Sequence, residues 1–100
     1  MESTYIKDID GSEIWMRGPV YHREDGPAVI RPLGSKIWYI NGQLHRADGP
    51  AIEWYSGGKQ WYFNGKHLGH GDEGFWNLWN LLTDEQRNNT DLLYYLPGAR

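Results

Sequence analysis

The chain has 100 residues, enough for one domain and too few for two independent hydrophobic cores. It contains no cysteine, so disulfides and thiolate metal sites are excluded. Its formal net charge of −3 argues against a general nucleic-acid binder, which needs a basic surface. No apolar run approaches the roughly 20 residues of a membrane helix. These properties predict a cytoplasmic protein that does not interact with membranes.

An internal repeat dominates the sequence. Residues 21–28 read Tyr-His-Arg-Glu-Asp-Gly-Pro-Ala, and residues 44–51 read Leu-His-Arg-Ala-Asp-Gly-Pro-Ala. The same offset of 23 places residues 34–42 on residues 57–65, both of which end in Asn-Gly. Repeats of this length are typical of arrays in which each copy packs on the next. The sequence therefore predicts a single domain built as a repeat array.

In chain order, residues 1–20 hold a degenerate capping copy, in which Gly18-Pro19 replaces the Asn-Gly dipeptide. Residues 21–66 hold two full copies. Each is predicted to contain a short strand (Val29 to Arg31, Ile52 to Trp54) and a stronger aromatic strand (Lys36 to Ile40, Lys59 to Phe63). Asn41-Gly42 and Asn64-Gly65 favour type I′ hairpins. The expected sheet is an antiparallel meander.

Residues 67–74 are rich in glycine and are predicted to form a loop. After it, Phe75, Leu78, Trp79 and Leu82 form one apolar helical face within a C-terminal helical segment, residues 75–96. Thr83 to Gln86 has a capping-box pattern that opens a second helix, which can break into a turn at residues 88–91. The fold class is α+β, mainly β.

Alternation along the strands predicts which side chains share a face. Trp15, Trp38 and Trp61 are expected on one face, covered by the helical segment, and Tyr39 and Tyr62 on the other. Not all of the aromatic residues fit under one pair of helices. The remaining aromatic surface is therefore expected to bind a partner or a second protomer, which leaves a homo-oligomer open.

The repeat unit, His-Arg-x-Asp-Gly-Pro-Ala followed by Gly-x-Lys-x-Trp-Tyr-x-Asn-Gly, resembles a repeat in proteins of tailed bacteriophages and giant viruses, over about residues 11–66. It is loosely similar to the MORN class of β-hairpin repeats. The resemblance implies a β-hairpin array and a viral origin, and it supplies no catalytic residue. Small phage proteins often act on host machinery, including defence systems.

No catalytic constellation or cofactor motif is apparent, and the chain is predicted not to be an enzyme. His67, His70 and Asp72 offer metal-ligand chemistry, but their glycine-rich setting favours a solvated loop, so no metal site is predicted. The leading hypothesis is a protein-binding module that inhibits a host protein. Its candidate contact residues are aromatic or acidic: Tyr39, Trp54, Tyr55, Tyr62, Glu24 and Glu53.

Two other functions remain open. The repeated His22-Arg23 and His45-Arg46 pairs, together with Trp54, could hold a nucleotide or a similar anion, sequestered at a homo-oligomer interface. Because an array repeats its turns, the same residues are also expected to be structural, with Asp capping its turn, Gly at positive φ and Arg pairing with Asp across copies. The other alternative is a virion or assembly component.

Overall fold

The computed structural model describes residues 3–98. Its strands are β1 (Thr4–Lys7), β2 (Glu13–Arg17), β3 (Val20–Tyr21), β4 (Val29–Ile30), β5 (Lys36–Ile37), β6 (Tyr39–Ile40), β7 (Gln43–Leu44), β8 (Ile52–Glu53), β9 (Lys59–Phe63) and β10 (Lys66–His70). Three helices follow, α1 (Gly71–Leu81), α2 (Asp84–Arg87) and α3 (Thr90–Leu93). No helix in the described part of the chain is long and apolar enough to cross a bilayer.

The strands form the predicted antiparallel meander. The main sheet has the order β1-β2-β4-β5-β8-β9-β10, with β3 paired to β2, and β6 and β7 form a separate ladder. The predicted strand from Lys36 to Ile40 is thus divided at Trp38, and the two short strands end one residue early, at Ile30 and Glu53. The fold class predicted from the sequence is confirmed.

Two kinds of turn recur at the two ends of the strands. Asn41 and Asn64 have φ of 50° and 51°, each followed by a glycine at positive φ, as a type I′ hairpin requires. Gly18 in the capping copy aligns with Asn41, and its φ of 58° gives the first central position of the turn the same backbone conformation. At the opposite end, the segments 8–12, 31–35 and 54–58 share one pattern of backbone hydrogen bonds.

One face of the sheet carries an alternating row of tryptophan and alanine. The backbone N–H of Trp15 donates to the carbonyl of Ala28, and that of Trp38 donates to Ala51. Ala51 in turn lies beside Trp61, one residue beyond the Ile52–Gln60 pair. Ala28 and Ala51 are fully buried, and their small side chains leave room above the sheet for the side chains that cover the indole rings.

The helical segment covers only one end of this row. α1 packs on β9 and β10, and Trp61 joins a core of Leu68, Phe75, Leu78, Leu82 and Leu92. The prediction that the helices cover all three tryptophans is wrong for Trp15 and Trp38. An arginine side chain of the repeat lies on each of those two rings instead.

The predicted loop at residues 67–74 is also wrong. Residues 67–70 belong to β10, which the hairpin at Asn64-Gly65 pairs with β9. Gly71, at φ of 48°, then turns the chain directly into α1, so that helix begins at residue 71 and not at 75. The capping box at Thr83 and Gln86 is present, and α2 ends at Arg87, immediately before the predicted break at residues 88–91, within which α3 begins at Thr90.

Candidate functional site

The repeated arginines make closely similar contacts in the two copies. The guanidinium carbon of Arg23 lies 3.9 Å from the Trp15 ring centroid, and that of Arg46 lies 3.7 Å from Trp38. Each Nε donates to the aspartate two residues later, at 2.9 Å and 2.8 Å. Each Nη1 donates to the carbonyl of the proline four residues later, at 3.2 Å and 3.1 Å. Both arginines are therefore bound within their own turns.

The structural interpretation of these turns needs two corrections. Arg23 and Arg46 pair with Asp25 and Asp48 of the same copy, not with an aspartate of the adjacent copy. Gly26 and Gly49 are not at positive φ. A Cβ at Gly26 would lie 2.9 Å from the guanidinium carbon of Arg23, so glycine is needed there to let the arginine pass close to the backbone.

The repeated histidines hold the hairpins in place. Nδ1 of His22 accepts the backbone N–H of Asn41 at 2.9 Å, and Nδ1 of His45 accepts that of Asn64 at 2.8 Å. Nε2 of His22 also lies 3.2 Å from Oε2 of Glu24. The four residues considered for anion binding thus spend much of their hydrogen-bonding capacity inside the fold.

The tyrosine candidates belong to an aromatic band on the sheet face opposite α1. Each of the three hairpins places one cross-strand pair of side chains on that face: Met16–Tyr21, Tyr39–Leu44 and Tyr62–His67. We call these six residues the hairpin band. The rings of Tyr21 and Tyr39 lie 5.0 Å apart and join two neighbouring hairpins, and those of Tyr62 and His67 lie 4.9 Å apart within one hairpin.

The phenol of Tyr39 lies close enough to those of Tyr21 and Tyr62 to interact with both electrostatically. Partial burial raises its pKa, the phenols of Tyr21 and Tyr62 raise it further, and Arg31 opposes them. The hydroxyl is therefore neutral at physiological pH and can donate a hydrogen bond. Sequence reasoning found Tyr39 and Tyr62 but missed Tyr21 and His67, although positions 21, 44 and 67 are spaced by the same 23 residues.

The other interface candidates lie elsewhere. Trp54 and Tyr55 are on the turn at the opposite end of the strands, with exposed fractions of 41% and 66%. Glu24 is exposed near His22. Glu53 is turned inward: its Oε2 lies 3.3 Å from Nη1 of Arg46 and accepts a short hydrogen bond from the hydroxyl of Tyr95. The structure thus separates the six candidates into several regions and ties Glu53 to the C-terminal segment.

A cavity of about 390 Å³ opens between the turn at 54–58, the start of β9 and the first residues of α1. Its walls include Trp54, Lys59, Trp61, His70 and Asp72. Trp61 is 2% exposed, and its indole Nε1 has no hydrogen-bond partner within residues 3–98. A buried donor without an acceptor costs about 1–3 kcal/mol, so this atom marks a place where an acceptor would stabilise the protein. Sequence reasoning missed the cavity because it treated His70 and Asp72 as loop residues.

The histidines near the end of the sheet are in ring contact but form no metal site. The rings of His67 and His70 lie 5.3 Å apart in an edge-to-face arrangement. Within residues 3–98, no group of three histidine, aspartate or glutamate side chains is placed to hold a metal ion.

Comparison with known proteins adds no homologue. No protein-family model matches the chain, and neither the curated proteins nor the solved structures contain a significant match.

Proposed function

We propose that this protein is a non-enzymatic protein-binding module whose contact surface is the hairpin band. The observation that supports the proposal is the row of Tyr21, Tyr39 and Tyr62 on the sheet face opposite the Trp61 ring, against which Phe75 of α1 packs. Tyrosine combines a large apolar ring with a hydrogen-bonding hydroxyl at low cost in side-chain entropy, and it is enriched at protein interfaces.

The amino-acid differences between the copies support a role for the hairpin band in binding, as distinct from folding. The residues that bind the turns together, such as His45 and Arg46, are the same in both full copies. In the band, the second member of each pair differs at every repeat, being Tyr21, Leu44 or His67, whereas the first is Met16 in the capping copy and tyrosine, Tyr39 and Tyr62, in the two full copies. A repeat array that varies only part of its surface can bind a partner there without changing its fold.

Charge indicates the kind of partner. The side chains of Glu24 and Asp25 are 62% and 87% exposed, in a chain whose net charge is −3. Arg23, their neighbour, is held in its own turn by Asp25 and Pro27. These carboxylates line a groove with Trp38, on the face opposite the hairpin band, so they would attract a partner with a basic surface towards the protein without belonging to the band. The resemblance of the repeat to viral proteins supports a narrower form of the proposal, in which the partner is a host protein that this module inhibits.

A matched pair of variants tests the proposal. The double variant Tyr21→Ser/Tyr62→Ser removes two band rings, whereas Leu33→Ser removes a 72% exposed apolar side chain from the turn at the other end of the strands. Native mass spectrometry of each tagged protein, recovered from a bacterial lysate, reports protomer number and bound protein together. We expect a stoichiometric partner with the parent chain and with Leu33→Ser, and its loss from the double variant at unchanged thermal stability. Equal capture by all three proteins, or capture by none, would reject the hairpin band as the binding surface.

A further inference from the structure

The cavity at the start of α1 is lined by a buried hydrogen-bond donor for which residues 3–98 provide no acceptor. The indole of Trp61 is almost fully buried, and its Nε1 lacks an acceptor in the described part of the chain. The five-membered ring that bears Nε1 packs against Gly74 of α1: Cδ1 lies 2.2 Å and Cγ 2.5 Å from where a Cβ at that glycine would be. The unpaired donor therefore belongs to a ring that is in contact with the beginning of the helix.

The first turn of α1 adds further donors. The helix has 11 residues, and its N-cap residue, His70, makes no side-chain capping hydrogen bond. The backbone N–H groups at a helix N-terminus carry a partial positive charge and bind anionic oxygens. Nζ of Lys59 lies 3.3 Å from the carbonyl of Gly57, which places an ammonium group at the rim of the same cavity.

The wall made by Trp54 is suited to a planar ring. This indole is 41% exposed, and its Cδ1 lies 3.3 Å from the Cβ position of Gly58, so it lies close against the glycine turn. Aromatic side chains bind nucleobases by stacking, whatever the base. In the preceding copy this position is Arg31, which shows that the tryptophan is not needed for the turn itself.

From these features we infer a second binding site, separate from the hairpin band, for a nucleoside monophosphate. The base stacks on Trp54, and the phosphate accepts hydrogen bonds at the N-terminus of α1 and from Trp61 and Lys59. The volume of about 390 Å³ lies within the roughly 300–1,000 Å³ of small-molecule sites. The carboxylate of Asp72 lines the same cavity and opposes a phosphate, which limits the affinity of the site and provides a variant that should improve it.

Isothermal titration calorimetry of the full chain tests the site with adenosine monophosphate, adenosine and inorganic phosphate as separate ligands. We expect the nucleotide to bind at least about tenfold more tightly than either component, because stacking and phosphate contacts act together. Trp54→Ala should weaken nucleotide binding about tenfold. Lys59→Gln should weaken binding of the nucleotide and not of adenosine, and Asp72→Asn should strengthen nucleotide binding.

The repeat provides a matched control. Lys36 holds the position of Lys59 in the preceding copy, on an equivalent strand but away from the cavity, so Lys36→Gln should leave nucleotide binding unchanged. Absence of nucleotide binding at millimolar concentration would overturn the inference, as would binding that is insensitive to both Trp54→Ala and Lys59→Gln. Neither result bears on the hairpin band, whose variants are Tyr21→Ser/Tyr62→Ser.

Discussion

The guanidinium carbon of Arg46 lies over two aromatic rings, 3.7 Å from the ring centroid of Trp38 and 5.6 Å from that of Tyr95. The first ring belongs to the repeat and the second to the C-terminal segment. The side chain of Arg46, which is only 12% exposed, therefore joins the repeat array to the C-terminal segment.

Arg46→Lys should lower the free energy of unfolding by about 1–3 kcal/mol. Lysine keeps the charge but cannot contact Asp48 and the carbonyl of Pro50 together while lying on an indole. Urea unfolding measures the loss. Arg23→Lys is the control: Arg23 is 23% exposed and has no counterpart of the Glu53 contact, so its loss should be smaller. Equal losses of unfolding free energy in the two variants would show that the contacts of Arg46 with Glu53 and Tyr95 add nothing to stability.

Gly49→Ala should destabilise the protein by about 1–3 kcal/mol, because a Cβ there would lie 2.6 Å from the guanidinium carbon of Arg46 and 2.9 Å from Cε2 of Tyr95. Thermal unfolding reports the change. At Gly26 the atoms nearest to the added Cβ all belong to Arg23, which is more exposed and can move away. Gly26→Ala should therefore cost less, and the reverse order would contradict the packing described here.

Asn64→Ala should cost about 1–2 kcal/mol, because residue 64 has φ of 51° and alanine is strained in the left-handed region. Asn64→Gly relieves that strain and should stay within about 0.5 kcal/mol of the parent, since its backbone N–H still donates to His45. Chemical denaturation of the two variants separates backbone strain from loss of the side chain. Equal losses would mean that the asparagine side chain itself matters.

His45 should make stability depend on pH. Burial lowers its pKa below the ordinary value of 6.5, so the unfolded chain binds the proton more readily than the folded one. This contribution to stability is complete above about pH 6.5 and declines as the pH falls towards the folded pKa. His45→Asn keeps an acceptor for the N–H of Asn64 but does not titrate. Urea midpoints between pH 7.5 and 5 should fall less steeply for this variant; identical slopes would assign the decline to other groups.

Tyr95 should produce a decline at high pH. Burial, followed by the hydrogen bond to Glu53, raises its pKa from 10.0 to about 12. The hydroxyl thus contributes stability that is complete below pH 10 and is lost as the pH rises towards about 12. Tyr95→Phe should lower the unfolding free energy at pH 7 by about 0.5–1.5 kcal/mol and flatten this decline. Thermal melts at pH 7, 9 and 10.5 measure both effects, and an unchanged alkaline decline would exclude Tyr95 as its source.

The repeat explains which parts of the fold could be predicted. The Asn-Gly turns at residues 41 and 64 depend on local backbone chemistry, and the spacing of 23 residues fixes how the copies align. β10 could not be recognised in the same way, because Lys66 to His70 contains neither alternation nor β-branched residues. It is a strand because the preceding hairpin places it beside β9, a tertiary effect that outweighs local preference.

The sites were harder to predict than the fold. Tyr39 and Tyr62 could be found because strand alternation separates them from Trp38 and Trp61. The cavity could not be found, since it joins Trp54 to His70 across two turns and depends on α1 beginning at Gly71. The pairing of Glu53 with Tyr95 spans 42 positions, and no pattern in the sequence indicates it.

The covering of the three indoles has a consequence for how such a protein can change in length. Trp15 and Trp38 are each covered by the arginine of the following copy, whereas Trp61 packs against Phe75 of α1. An additional 23-residue unit inserted before residue 44 would contain its own arginine. Its strands would pair with the same strands of the neighbouring copies as the strands of the existing units do. Each such duplication would widen the main sheet by two strands, about 10 Å, and add one more freely variable pair to the band. Lineages of this protein can therefore enlarge or shrink their contact surface by whole units while the terminal helices stay the same.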